Sequence, residues 1–168
     1  STKKIKSRED DLKLLDKEIS IDAKQEDKYS HYYFQARAAE NLGRINLRIE
    51  LLSKSLEYAK PGTQQEFQVT VELDQAEMQV GNSKKAIARF EALLGKIPDR
   101  YSGLLVGYNG SLSEAYANIG DFEKAEKHLR DSGSALTYLK RSPNYSLFGA
   151  GWTKSYLTAQ AELAFQKG

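Results

Sequence analysis

The chain has 168 residues, with 25 Lys or Arg against 23 Asp or Glu, so its formal charge is only +2. That balance implies neither a nucleic-acid surface nor an acidic tail, and the lack of cysteine removes disulfides, thiolate nucleophiles and cysteine metal sites. No run approaches the roughly 20 apolar residues of a membrane span, and with 3 prolines and 12 glycines long helices are expected over a loop-rich fold.

Residues 1–28 carry sixteen charges, eight of each sign. Ser7 and Asp10 have the pattern of a helix start with an acid in its first turn. Leu12, Leu15 and Ile19 add a thin apolar stripe. The segment reads as a charged leading helix that caps the open end of the first helical unit. Its mixed charges and narrow stripe argue against a membrane-surface or partner-binding helix.

From residue 29 onward, apolar residues recur in steps of three and four. They fall at Ile45, Ile49, Leu52 and Leu56, then at Val69, Leu73, Ala76 and Val80. Leu105, Tyr108, Leu112, Ala115 and Ile119 come next, then Phe122, Ala125, Leu129 and Leu136. This is the stripe of amphipathic helices, and the fold class it predicts is all-α.

Three stretches align on a glycine between two helices, with pivots at Gly43, Gly81 and Gly120, spaced 38 and 39 residues apart. A helix that stops sharply needs a left-handed residue, which glycine adopts without a Cβ penalty. Pro61 and Pro98 are expected to end the second helices. A two-helix unit at this period predicts a solenoid.

In the third unit Leu112, Tyr116, Gly120, Asp121, Phe122, Ala125 and Leu129 resemble the tetratricopeptide repeat (TPR) pattern. The second unit matches through Leu73, Gly81, Ala86, Phe90 and Pro98, with Glu77 where the aromatic usually stands. The first has Gly43, Leu52 and Pro61 near place, and Arg48 where a small alanine belongs. The resemblance covers roughly residues 29–168. It implies a right-handed α-α superhelix of about seven to eight antiparallel helices, longer than standard for the family. Units are expected at about 29–61, 64–98 and 103–141, with a partial fourth at 145–168. The aromatics Tyr138, Tyr145, Phe148 and Trp152 are assigned to a long connection before that fourth unit. Because Met78 is the sole methionine and Gly168 falls at a pivot offset, the chain is expected to be a piece of a longer protein. Further repeats or an effector domain are expected beyond it.

Little here suggests catalysis. The paired acids Asp10–Asp11 and Glu26–Asp27 lie in the charged leader, and phosphate-loop, nucleophile-elbow and HExxH motifs are absent. His31, among Tyr29, Tyr32 and Tyr33, is a minor ligand-binding candidate. His128, flanked by Lys127 and Arg130, reads as an inert surface residue. The small basic clusters Lys3, Lys4, Lys6, Arg8 and Lys84, Lys85, Arg89 are too short for a phosphate-binding stripe. A non-enzyme without cofactor or metal is expected, cytoplasmic or, if cut from an exported protein, periplasmic.

The family resemblance implies a concave groove lined by the first helix of each unit. Its candidate residues are Tyr33, Phe34, Arg37 and Asn41; Gln68, Val71, Gln75, Met78 and Gln79; Gly107, Gly110, Glu114 and Asn118; and Thr158, Glu162, Phe165 and Gln166. Amide side chains both donate to and accept from a peptide backbone, and Asn41 and Asn118 stand where this family often clamps an extended peptide. With Arg37 the one cation among them, a grip on a terminal carboxylate is not expected. Gly103, Gly107 and Gly110 form either a bare helical face, open to a ligand or another segment of the protein, or a loop before a helix starting near Asn109. The expected function is protein or peptide binding as a sensing or scaffolding part of a signalling protein. The alternatives are a spacer or self-association module and, with a closed pocket, a small-molecule sensor.

Overall fold

The computed structural model describes residues 7–168. It is all-helical, 78% helix, and among the described residues no strand occurs. Eight α-helices succeed one another: α1 Arg8–Leu15, α2 Gln25–Asn41, α3 Ile45–Tyr58, α4 Gln64–Gln79, α5 Ser83–Leu94, α6 Leu104–Asn118, α7 Phe122–Leu139 and α8 Tyr145–Lys167. The chain divides into two compact units, one through Ala76 and one from Glu77, with the boundary inside α4.

The pivots behave as the spacing predicts. Gly43, Gly81 and Gly120 have φ of 69°, 86° and 79°. The residue after each donates its backbone N–H five residues back: Arg44 to Ala39 at 2.8 Å, Asn82 to Glu77 at 2.9 Å and Asp121 to Tyr116 at 3.0 Å. This is one helix-ending turn used three times. The prolines do less than expected. α3 closes at Tyr58 and α5 at Leu94, both ahead of Pro61 and Pro98.

In the first unit the core is made by Tyr29, Ala36 and Ala39 of α2, Leu51 and Leu52 of α3, and Val69, Leu73 and Ala76 of α4. Arg48 does enter this crowded region but does not break it. Its guanidinium is buried and reaches Glu40 at 3.1 Å, so the charge is compensated where an alanine was expected. The leading helix is short. Ser7 and Asp10 form a reciprocal cap at its start, and the buried Gln35 amide donates to the carbonyls of Leu14, Leu15 and Lys17 at its end. One side chain of α2 thereby ties down the carbonyls that a helix C-terminus leaves unpaired. The helix ends at Leu15, so residues 16–24 are not part of it.

The second unit packs α6 against α7, and α8 against both. Its core includes Phe90 edge-on to Tyr108, ring centroids 5.3 Å apart. The long connection expected before the fourth unit is not there. α7 runs to Leu139 and α8 starts at Tyr145, so Tyr138, Tyr145, Phe148 and Trp152 are helical residues. Gly133, Gly149 and Gly151 lower helix propensity in this stretch, but packing overrides them: Tyr156 lies over Gly133 and the Tyr145 ring over Gly149.

Candidate functional site

In the first unit, the expected groove residues of α2 and α4 meet. Tyr33 Oη donates to Glu72 Oε1 at 2.6 Å and accepts from Gln68 Nε2 at 2.7 Å. Arg37 Nη1 stands 3.7 Å from the same carboxylate oxygen. Burial first, and then the hydrogen bond and charge of Glu72, push the Tyr33 phenol up to about 12, so it stays a donor. Phe34 sits edge-on to Tyr33 with ring centroids 5.9 Å apart, and it is 53% exposed. Gln75 is exposed on α4, in register with Gln68 and Glu72. Glu72 was not among the candidates, although a residue four after Gln68 shares its helical face.

Asn41 is engaged within the chain. Its amide donates to Asp11 Oδ2 at 3.1 Å, so it fixes α1 to α2. The partner lies 30 positions away in sequence, and no local pattern announces the contact.

In the second unit, the residues assigned to the third and fourth repeats also come together. Asn118 at the end of α6 accepts from Gln166 Nε2 at 3.4 Å and donates to Ser83 Oγ at 3.5 Å; both bonds are long. Gln166 also donates to Glu162 Oε1 at 2.8 Å. One turn before Asn118, the half-buried Glu114 carboxyl is pushed up to about 7, by burial first and then by the charge of Glu162. Beside this cluster Phe165 is 79% exposed, and Thr158 is exposed on the same face of α8 two turns earlier. Met78 is half-buried and Gln79 exposed at the end of α4; neither joins the cluster.

The glycine stretch is helical. α6 starts at Leu104, so Gly107 and Gly110 lie inside it and Gly103 precedes it. The bare face receives another segment of the protein, namely α8. A Cβ at Gly110 would stand 3.5 Å from Ala159 Cβ and from the Ser155 carbonyl, while one at Gly103 would fall 2.6 Å from the Trp152 ring. Gly110 is therefore buried under α8 rather than open to a groove, and only Gly107 has free space above it.

Two polar networks have no signature in the sequence pattern. Glu77, where the family resemblance implies an aromatic, is 1% exposed and accepts from Asn82 Nδ2 at 2.7 Å and Lys85 Nζ at 3.0 Å, with Arg89 at 3.9 Å. Burial alone would raise its carboxyl; the amide and the two cations hold it below the usual range. The same pairing neutralises part of the Lys84, Lys85, Arg89 cluster. Of the other basic cluster, Lys3, Lys4 and Lys6 lie outside the described residues.

His128 is buried, not a surface residue. It stacks on Tyr116 with centroids 5.6 Å apart, and its Nδ1 is 2.9 Å from Asn109 Oδ1. Asn109 Nδ2 donates to the Leu105 carbonyl at 3.0 Å, which makes Oδ1 the acceptor and assigns the proton to Nδ1. Burial lowers the His128 value and so favours the neutral ring. Tyr116 in turn donates to Glu91. His31 lies edge-on to Tyr32 and is also lowered, by burial and then Lys17.

Among the described residues no group of three or more His, Asp or Glu is placed to hold a metal ion, and no helix is long and apolar enough to cross a membrane. Compared with models of known families, with curated proteins and with solved structures, the chain matches none.

Proposed function

We propose that the chain is a non-catalytic helical module that binds a protein or peptide partner through the exposed rims of its first-position helices, α2 and α4 in one unit and α6 and α8 in the other. The tetratricopeptide resemblance and its right-handed superhelical stacking belong to this proposal. The observation that carries it is Phe165, a large aromatic left 79% exposed beside the Asn118, Glu162 and Gln166 cluster. Aromatic side chains are enriched in the cores of protein interfaces relative to the rest of the surface. The first unit repeats the combination with Phe34 beside Tyr33, Arg37 and Gln68. Gln166 and Gln68 present amide groups that exchange their present partners for a peptide backbone at little cost.

The test is selection from a random peptide display library, then binding of the selected peptides to Phe165→Ala and Phe34→Ala variants. Loss of about tenfold or more in one variant supports the reading. Peptides that bind both variants as they bind the parent refute it.

A second reading, self-association, has its own observation. The side of α8 away from α6 and α7 carries Leu147 at 76% exposure, with Ala150, Leu157 and Ala161 at helical spacing and Lys154 as its one charge. Helices apolar on two faces are usually covered on both. Light scattering across concentration discriminates: a monomer at all concentrations excludes this reading. A role in a signalling protein with a separate output domain is also part of the proposal and rests on the family resemblance alone.

A further inference from the structure

Along α7, Arg130, Ser134 and Thr137 step by four and three and share one helical face, with Gly133 beside them; Lys140 and Arg141 follow in the turn that closes the helix. Gly133 leaves a notch in this face, and the Tyr156 ring from α8 closes one side of it; a Cβ at Gly133 would stand 3.1 Å from Tyr156. The result is an open cleft of about 680 Å³ that also takes in Tyr138 and Leu136.

The charge of this cleft is one-signed. Arg130, Lys140 and Arg141 line it, and no acid does. The acids nearest in sequence are already engaged: Asp131 takes Lys127 at 2.9 Å, and Glu126, which faces Arg130, takes Lys167 at 2.5 Å. Lys140 and Arg141 have no ion-pair partner among the described residues. Cations at a helix C-terminus ordinarily offset its partial charge, but that charge is about half a unit. Lys140 and Arg141 at that end exceed it severalfold, and Arg130, mid-helix, lies beyond its reach.

Spacing selects the ligand. Ten residues of helix separate Arg130 from Lys140, a rise of about 15 Å. A single phosphate or carboxylate cannot touch both ends. An extended peptide rises about 3.3 Å per residue and returns its side chains to the same side at every second position. Two acids about four residues apart therefore span the cleft on one side of the strand. Between them, Tyr138, 74% exposed, and Tyr156 offer aromatic walls. The Ser134 hydroxyl is free to bond the peptide backbone, whereas Thr137 is already donating to the Gly133 carbonyl.

We propose that the cleft between α7 and α8 is a binding site for an extended acidic peptide, with one carboxylate on Arg130 and another on Lys140 and Arg141. The site shares no residue with the Phe34 and Phe165 rims, so it stands or falls separately from peptide binding at those rims.

The probe is a fluorescein-labelled peptide of serine and glycine with two glutamates about four residues apart, titrated with the protein at low salt and read by anisotropy. Binding is expected to weaken about tenfold in the Lys140→Ala/Arg141→Ala double variant and to weaken in Arg130→Ala. The charge-matched control Lys84→Ala/Lys96→Ala is expected to bind as the parent does. All these side chains are exposed, and circular dichroism verifies that each variant is folded. Four results overturn the proposal: no binding to the parent, equal loss in the control, equal binding of a peptide with adjacent glutamates, or displacement by inorganic phosphate at comparable concentration.

Discussion

Ser132 of α7 donates its hydroxyl to the carbonyl of Val106 in α6 at 2.8 Å, and Ser55 of α3 makes the same bond to Tyr29 of α2 at 3.0 Å. Each serine stands twelve residues after its pivot glycine, and each acceptor fourteen before it. The equivalence extends the repeat beyond its turns to a buried contact between the two helices of a pair. At the matching places around Gly81 stand Leu93 and Phe67, so the bond is absent from the middle pair.

Both serines are fully buried. Replacing either by alanine removes one side-chain bond but leaves the carbonyl its helical partner, so a loss of about 1 kcal/mol is expected for each. Urea denaturation of Ser55→Ala and Ser132→Ala measures it. A loss in one variant alone would show that the two contacts are not equivalent.

The glycines of α6 separate by environment. Gly107→Ala meets open space and removes a poor helix former, so stability should rise by up to about 1 kcal/mol. Gly103→Ala drives a methyl into the Trp152 ring at 2.6 Å and should cost about 1–3 kcal/mol. Thermal unfolding of the two variants, with Trp152 fluorescence as a probe of displacement, distinguishes them.

Glu114 predicts a pH dependence. Its folded value of about 7 lies above the ordinary 4.5, so the native state holds a proton that the unfolded chain releases. The stabilisation is fully present below about pH 4.5 and is lost as pH rises through about 7. Its size is on the order of 1–3 kcal/mol. Urea midpoints at about pH 5 and pH 8 should differ less in Glu114→Gln than in the parent. Glu162→Gln removes the neighbouring negative charge and lowers the Glu114 value, so in that variant the loss should move to lower pH.

Glu77 should act in the opposite direction. Its depressed value means stability that is present above the ordinary carboxylate range and is lost as pH falls through the folded value. Glu77→Gln keeps the Asn82 contact but removes the charge facing Lys85 and Arg89, and should flatten the acid limb of a stability profile.

Much of this architecture is legible in the residues. Period and glycine are local signals, and Gly43, Gly81 and Gly120 end helices because few other residues accept a positive φ. The α7–α8 region misleads for a physical reason: its glycines weaken local helix preference, while Tyr145, Trp152 and Tyr156 supply the tertiary contacts that restore it. His128 misleads because neighbours in sequence lie on different helical faces, so Lys127 and Arg130 say nothing of where the ring points. Of the candidate site, Tyr33 with Gln68 and Asn118 with Gln166 do meet. The capture of Asn41 by Asp11 and the covering of Gly110 by α8 depend on contacts too distant for any spacing rule.

The buried polar pairs have a consequence for how the two helices of a pair align. Arg48 is matched to Glu40, Glu77 to Asn82 and Lys85, and His128 to Asn109. These three locks use different chemistry at comparable depth in successive helix pairs. Each lock joins the two helices of one hairpin, so a second helix that slid along the first would leave a buried guanidinium, carboxylate or imidazole without its complement. The locks therefore hold each hairpin in a single register.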